Sequence, residues 1–291
     1  MTEADAFNLD PRAVRSSFDR ASSTYEAAAV LQANVADELL SRLEAFAFRP
    51  GVVLDLGAGP GRATALLKRK YRHALVIALD IAPGMLQQAQ RHQRLFRRFQ
   101  RVCADANRLP FADASVDVIF SSLMLQWCNP DWAFAEARRV LKPEGLFAFS
   151  TFGPDTLQEM RAAWAAVDDY QHVHQFMDMH DVGDALVRAG LMEPVLDVEH
   201  IRLTYSHALD LMRDLKTIGA HNVTAGRARG LTGRARLQQV QSAYEVFRVD
   251  ARLPATYEII YGTAWGAAGH RGTRVIDGEV RISPSAIRRR G

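Results

Sequence analysis

The sequence lacks most of the features that mark a secreted, membrane-spanning or metal-bound protein. It has only two cysteines in 291 residues, Cys103 and Cys128, too far apart for a metal or redox pair. The longest apolar runs have the length of strands, well short of the roughly 18 residues that cross a bilayer. The first residues show no basic segment followed by an apolar one, so no secretory signal is predicted. We therefore expect a cytoplasmic protein in a reducing compartment, with no metal and no membrane partner.

Strong net charge is also missing. The formal net charge is +3, although basic residues gather in four clusters, at 68–72, 91–101, 227–236 and 288–290. Such clusters indicate either an acidic partner or solvated helix surfaces. No aromatic side chains alternate with them and no RNA-reading module is visible, so a nucleic-acid partner is not expected. The 48% hydrophobic content is sufficient for one large α/β core with helical additions.

One segment, VVLDLGAGPG at 52–61, carries a ligand-binding pattern. An apolar run ends in Asp55 and opens into a loop with three glycines, Gly57, Gly59 and Gly61. Glycine allows a sharp turn and lets a ligand approach closer than a Cβ would permit. A dinucleotide fingerprint requires a small residue where Arg62 stands, and a P-loop requires Gly-Lys-Ser/Thr. The remaining ligand class is an adenosine without phosphate, as in S-adenosylmethionine (SAM).

The next unit supplies the structural context that such a glycine loop needs. A helix over 62–70 and an apolar strand over 74–80 follow. The strand ends in Asp80, whose carboxylate can accept hydrogen bonds from both ribose hydroxyls. Asp105 after the third strand can accept the adenine amino group or cap a helix. Met85 can cover the adenosine or belong to the core. The predicted cofactor contacts are Asp55, Gly57, Ala58, Gly59, Gly61, Asp80, Ile81, Met85, Asp105, Ala106, Ser121 and Ser122.

Hydrophobic periodicity organises the rest of the chain. It predicts two helices within 12–48, before the first strand. Further strands are predicted at 99–105, 116–122, 146–152, 194–204 and 256–265. Further helices are predicted at 130–142, 155–167, 178–189, 207–218 and 232–247. The continuous apolar run at 116–122 is typical of a strand buried on both faces of a parallel sheet.

These residues resemble the class I SAM-dependent methyltransferases, with the generic part at 51–152. Four segments outside this core and one near its end carry a narrower resemblance, to the malonyl-[acyl-carrier protein] O-methyltransferases of biotin synthesis, that reaches about Trp265. They are FDRASSTYEAAAVLQ (18–32), SSLMLQWCNP (121–130), LKTIGAHN (215–222), GLTGRARLQ (230–238) and LPATYEIIYG (253–262).

The resemblance implies one compact Rossmann-like α/β domain with a mostly parallel seven-stranded sheet and helices on both faces. Four parts are expected: a helical lid (1–50), the SAM-binding core (51–152), the remaining strands with a helical substrate cap (153–266) and a flexible basic tail (267–291). The implied reaction is methyl transfer from SAM to the free carboxylate of a malonyl thioester, an early step of biotin synthesis that yields S-adenosylhomocysteine. A carboxylate is already ionised at pH 7, so no catalytic acid or base is required.

The same resemblance implies where the acceptor and its carrier bind. Candidates for positioning the acceptor are Tyr25, Gln32, Gln126 and Trp127, while Lys216 and His221 can meet the malonyl carbonyls or the phosphopantetheine arm. Candidates for docking the acidic acyl-carrier protein are Arg227, Arg229, Arg234 and Arg236, which can equally form a solvated face. The expected oligomeric state is a monomer or weak dimer.

Two alternative functions remain open at the level of sequence. The first is a methyltransferase of the same fold that acts on another small carboxylic acid, of the aconitate type, and needs no carrier-docking surface. The second follows from FGPDTLQE (152–159) and LPATYEIIYG, which also resemble a mitochondrial complex I assembly factor. In that family a SAM-binding fold is associated with protein arginine hydroxylation.

Overall fold

The computed structural model describes residues 9–47, 49–220 and 233–267, together with the backbone of 273–276 and 279–282. The described helices are α1 (Pro11–Ala21), α2 (Tyr25–Ala28), α3 (Val30–Arg42), α4 (Arg62–Lys70), α5 (Pro83–Ala89), α6 (Pro130–Val140), α7 (Gln158–Ala165), α8 (Met179–Arg188), α9 (Ala208–Thr217) and α10 (Arg234–Tyr244). Short 3₁₀ turns follow several of these elements, at Leu43–Ala45, Gln90–His92, Leu125–Trp127 and Glu245–Phe247. No helix in this part of the chain has the length and apolar character needed to cross a bilayer.

The strands form a seven-stranded sheet in the order β3-β2-β1-β4-β5-β7-β6. They are β1 (Val52–Leu56), β2 (Leu75–Asp80), β3 (Gln100–Cys103), β4 (Val116–Ser122), β5 (Leu141–Phe152), β6 (Met192–Tyr205) and β7 (Leu253–Trp265). The first five strands are parallel, and β7 lies antiparallel between β5 and β6. The predicted Rossmann-like α/β fold is therefore confirmed.

Both faces of the central strands are buried because helices cover each face of the sheet. Successive residues of a strand point to opposite faces, so Val53 belongs to one hydrophobic cluster and Leu54 to the other. On the first face α3 and α4 contribute side chains such as Leu39 and Leu67. On the second face α6 and α8 contribute Phe134 among others. This double covering explains the continuous apolar strands of the sequence.

The largest differences from the predicted elements lie in three places. The segment 12–48 contains three helices instead of two, because the chain turns between Ala21 and Tyr25 and bends again at Ala29. Strand β5 begins at Leu141, five residues earlier than predicted, since Leu141 already pairs with Val116 before a register shift. The tail predicted to be flexible contains two paired strands, β8 (Thr273–Ile276) and β9 (Glu279–Ile282), which periodicity did not indicate.

Candidate active site

A cavity of about 460 Å³ lies at the carboxyl ends of the parallel strands. Open α/β sheets bind their ligands at this edge. Residues after β1, β2, β3 and β4 line one part of it, which we name the cofactor region: Gly57, Gly59, Asp80, Ile81, Met85, Asp105, Ala106, Asn107 and Ser122. Side chains from the first helices, from the turn after β4, and from the end of β5 and the chain beyond it line the remainder. We name this part the acceptor region: Phe18, Tyr25, Gln32, Gln126, Trp127, Phe152, Trp164, His172, His174, Phe176, Lys216 and Tyr257.

The glycine loop is held against the end of β2 by backbone hydrogen bonds. The Gly57 and Ala58 N–H groups both donate to the Leu79 carbonyl, at 2.8 and 2.9 Å. Gly57 has a φ of 80°, and a Cβ there would lie 2.2 Å from Met124 Cγ. Gly59 has a φ of 53° and lines the cavity, but a Cβ on it would meet no protein atom within 4 Å. The first glycine is therefore required by packing, and the second leaves ligand space open.

Asp80 joins this loop to the start of α5. Its Oδ2 accepts from the Gly59 N–H and its Oδ1 accepts from the Ala82 N–H, each at 2.8 Å. Burial raises the pKa of Asp80 to about 6, although these hydrogen bonds oppose the rise. Each carboxylate oxygen has a second lone pair and can accept one more hydrogen bond. Asp80 thus both organises the loop and presents a buried acceptor to the cavity.

Four of the predicted cofactor contacts do not line this cavity. Asp55 is buried beneath the loop and accepts a short hydrogen bond from Thr64 Oγ1, and burial raises its pKa to about 7. The Ser121 hydroxyl donates to the Leu56 carbonyl at 2.9 Å. Gly61, with a φ of 84°, packs against Ala89, where a Cβ would lie 2.6 Å from the Ala89 Cβ. These three residues and Ala58 therefore support the glycine loop without lining the cavity.

Asn107 is a cavity residue that the sequence analysis missed. Its Oδ1 is buried and has no hydrogen-bond partner. The neighbouring Asp105 Oδ1 accepts from the Asn107 N–H at 2.9 Å, which orders this turn. A buried oxygen without a partner costs about 1–3 kcal/mol unless a ligand donates to it. The signal was available, since Asn107 stands two residues after the acid of the third strand.

The cofactor region fits an adenosine ligand without phosphate. The open space at Gly59 admits a ligand close to the backbone, and Asp80 can accept hydroxyl groups. The unpartnered oxygen of Asn107 can accept from an amino group. Acidic side chains line this edge instead of the cations that bind phosphate. These hydrogen-bond acceptors suit the hydroxyl and amino groups of the adenosine of SAM.

The acceptor region contains five of the six predicted positioning residues: Tyr25, Gln32, Gln126, Trp127 and Lys216. The sixth, His221, lies outside the described residues. Two hydrogen bonds orient the side-chain amide of Gln126. Its Nε2 donates to the Leu123 carbonyl at 2.7 Å, and its Oε1 accepts from the Thr151 hydroxyl at 3.4 Å. Burial and the nearby Asp80 carboxylate raise the pKa of Tyr25, so its hydroxyl is neutral at pH 7. Tyr25 therefore stands where the two regions meet.

An aromatic wall forms much of the acceptor region, and the sequence analysis found only Trp127 of it. The Trp127 ring contacts Phe18 and His174 edge-on, each with centroids 5.1 Å apart. The Phe176 ring contacts Phe152, and the Phe152 ring contacts Tyr257, so the wall extends through these three residues. Their positions run from 18 to 257 in the chain, so no local spacing could have grouped them.

The two described docking candidates, Arg234 and Arg236, lie on the first turn of α10. Arg234 is exposed. Arg236 Nε lies 3.5 Å from Asp168 Oδ2, within ion-pair distance but not in hydrogen-bond geometry. The other two candidates, Arg227 and Arg229, lie outside the described residues.

Among the described residues, one group of possible metal ligands also comes together outside the cavity lining, although the sequence analysis assigned no metal. Ligand atoms of Asp155, His200 and Glu258 lie within 4.8 Å of one another. His200 and Glu258 are directly paired across β6 and β7, and Glu258 Oε2 accepts from the Asp155 N–H at 2.7 Å. Asp155 and His200 are exposed, and this pattern is accounted for by anchoring of the loop after β5.

Comparison with known proteins covers nearly the whole chain. Residues 54–149 match the model of the methyltransferase domain family. The malonyl-[acyl-carrier protein] O-methyltransferase of Methylovorus sp. (strain MP688) is 55% identical over 269 residues, which cover 90% of this chain and 91% of that protein. The enzyme of the same name from Laribacter hongkongensis (strain HLHK9) is 52% identical over 287 residues, with 96% of each chain covered.

Solved structures agree at the level of fold. A putative methyltransferase from Bacillus halodurans C-125 superposes with a TM-score of 0.58 at 18% identity, over 80% of this chain and all of that one. Because the two named relatives are 52% and 55% identical over at least 90% of this chain, the chain belongs to the malonyl-[acyl-carrier protein] O-methyltransferase family.

Proposed function

We propose that this protein transfers the methyl group of SAM to the free carboxylate of a malonyl group carried on acyl-carrier protein, giving a malonyl methyl ester. The observation that carries the proposal is that one cavity contains two unlike regions. One region presents acidic acceptors beside a glycine loop, and the other is walled by aromatic side chains. The names of the relatives supply the acceptor class.

The chemistry of this acceptor agrees with the side chains present. When bound, SAM supplies an electrophilic methyl group on a sulfonium. A carboxylate with a pKa near 4 is already a nucleophile at pH 7, so no residue has to remove a proton from it. The protein has to hold the carboxylate in line with the methyl group and exclude water, and Phe18, Trp127 and His174 form a wall suited to exclusion.

Within the acceptor region we assign different roles to Tyr25 and Lys216. The neutral Tyr25 hydroxyl, close to Asp80, donates a hydrogen bond that orients the malonyl carboxylate beside the cofactor. Lys216 is exposed at the edge of the cavity, and its ammonium has no hydrogen-bond or ion-pair partner among the described residues. It is placed to meet the thioester carbonyl or the phosphopantetheine arm. Gln32 and Trp127 complete the wall around the acceptor.

For the cofactor we assign the ribose hydroxyls to Asp80 and the adenine amino group to Asp105 and Asn107. Support comes from the buried carboxylate of Asp80 and from the unpartnered Asn107 oxygen. Ile81 and Met85 cover the adenosine, and Ser122 borders the methionine end. Arg234 and Arg236 belong to a docking surface for the acidic carrier protein, whose strength depends on salt. Helices α1 to α3 act as the lid.

Mass spectrometry of the acceptor tests the proposed function. The purified protein is incubated with methyl-labelled SAM and malonyl-acyl-carrier protein, with unloaded carrier protein as the control. We expect one added methyl group that alkali removes, because the product is an ester. Transfer to a small tricarboxylic acid in place of the malonyl group would support the aconitate-type alternative. SAM binding without any methyl transfer would contradict the methyltransferase assignment.

A further inference from the structure

A second cavity, of about 240 Å³, lies beside the first one. Trp164, His172 and Val173 line both cavities, so these three residues form the wall between them. The remaining lining of the second cavity is largely polar: Arg161, Ala165, Asp168, Asp169, Tyr170, Gln171 and Gln175. The function proposed above uses none of these polar residues.

The wall between the cavities is held rigidly. The His172 ring stacks on Trp164 with centroids 3.5 Å apart and planes 10° apart. His172 Nε2 lies 2.7 Å from Asp168 Oδ1, and both of these side chains are nearly buried, at 14% and 11% exposure. The second cavity thus has an ordered inner side that borders the acceptor region.

Two buried polar atoms on this lining lack hydrogen-bond partners. One is Arg161 Nε, a donor, although the two other nitrogens of this guanidinium donate to the carbonyls of Pro154 and Thr156 at 2.9 Å. The other is Asp168 Oδ2, an acceptor, which has only the distant ion pair with Arg236. Unpaired buried groups are costly, so a ligand that brings both an acceptor and a donor would satisfy them. A secondary amide offers both.

We propose that the second cavity receives the amide-bearing part of the phosphopantetheine arm, so that the malonyl thioester reaches past the edge of the Trp164–His172 wall into the acceptor region. The inference rests on the proposed function, which requires an arm of this kind. The arm contains two secondary amides on a narrow chain, and this chemistry matches the unpaired donor and acceptor. Arg236 of the proposed docking helix contacts Asp168 on the cavity lining, so a carrier bound at α10 would place its arm nearby.

Ala165 offers a direct test because it lines the second cavity but not the first. The variant Ala165→Phe adds bulk to the proposed arm site. Ala162→Phe is the matched control, since Ala162 is exposed on the same helix and lines neither cavity. Steady-state kinetics are measured with three acceptors: malonyl-acyl-carrier protein, malonyl-pantetheine and S-ethyl malonyl thioester, which has no arm.

We expect Ala165→Phe to raise KM at least fivefold for the two acceptors that carry the arm, and less than twofold for the ethyl thioester. Ala162→Phe should change KM less than twofold for all three. An equal change for all acceptors, no change for any, or a change for the carrier protein but not for malonyl-pantetheine would overturn the arm site. Thermal unfolding checks that the variants are folded, and Ala165→Leu replaces the phenylalanine variant if it is not. Failure of wild type to methylate any malonyl acceptor would instead reject the proposed function.

Discussion

The cofactor region and the acceptor region share one cavity but are built in different ways. The cofactor region consists of short stretches that directly follow strands, held by hydrogen bonds from backbone N–H groups to Leu79 and Asp80. The acceptor region is assembled from side chains between Phe18 and Tyr257, which contact one another through edge-on, tilted and stacked aromatic rings. Backbone geometry therefore sets the first region and tertiary packing sets the second.

This difference separates the two tasks of the enzyme. The methyl donor is the same in every reaction, and it binds to carboxylates and glycines whose positions follow from the strands. The acceptor is met by flanking elements that can vary without disturbing the sheet. Substitutions in the cofactor region should thus weaken SAM binding, whereas substitutions in the acceptor region should change turnover or the KM of the acceptor alone.

The largest effect is expected from Asp80→Ala. The substitution removes the acceptor for two hydroxyls and also releases the Gly59 and Ala82 N–H groups. Hydrogen bonds to charged groups contribute about 1.5–3 kcal/mol each, so the SAM dissociation constant should rise by about 100-fold or more. Isothermal titration calorimetry measures it. Unchanged affinity would reject both the ribose assignment and the role of Asp80 in the loop.

A smaller and different effect is expected from Tyr25→Phe. Removal of the hydroxyl takes away the hydrogen bond proposed to orient the carboxylate, and kcat for malonyl-acyl-carrier protein should fall about 10- to 30-fold. The SAM dissociation constant should change less than threefold, which calorimetry checks on the same sample. A parallel loss of SAM affinity would show that Tyr25 belongs to the cofactor region. The proposed division between the two regions would then be wrong at this residue.

The same distinction explains what the sequence could predict. VVLDLGAGPG, followed by a helix and a strand that ends in Asp80, is a local pattern whose geometry follows from the βαβ unit. Even there, Asp55 and Ser121 are placed behind the loop instead of in the cavity, because a strand tip does not reveal which way a side chain points. In the acceptor region, resemblance identified Tyr25 and Trp127. It could not reveal the Trp164–His172 stack, which depends on how the chain after β5 folds back.

Asp55→Asn tests whether a buried residue behind the loop affects stability without contacting the ligand. Burial raises the pKa of Asp55 to about 7 in the folded protein, against about 4 in the unfolded chain. The folded state therefore holds a proton that the unfolded state has lost between these values, and the share of stability due to Asp55 falls as the pH rises from 4 to 7. Asparagine cannot ionise, and its carbonyl can still accept from Thr64.

The Asp55→Asn variant should consequently lose about 2 kcal/mol less stability than wild type between pH 5 and pH 7. Urea unfolding at the two pH values measures this difference, with Asp113→Asn, an exposed acid far from the loop, as the control for an altered net charge. SAM affinity at pH 7 should stay within threefold of wild type. Identical pH dependence in the two proteins would mean that Asp55 does not carry the proton.

The smallest effect is expected on the docking surface, because exposed charges act over distance and are screened by salt. Arg234→Glu reverses one charge on α10, and among the described residues Arg234 has no ion-pair partner to lose. We expect KM for malonyl-acyl-carrier protein to rise about threefold at low ionic strength and the difference to vanish at about 0.5 M salt. Steady-state kinetics at both ionic strengths measure this change.

Arg202→Glu is the matched control for that experiment, since Arg202 is exposed on β6 and outside the proposed docking helix. If both reversals raise KM equally, the effect comes from net charge and not from a docking surface at α10. A KM for malonyl-pantetheine that Arg234→Glu leaves unchanged would separate docking of the carrier from binding of its arm. In that case, the charged surface at α10 binds the carrier protein, and the second cavity binds its arm.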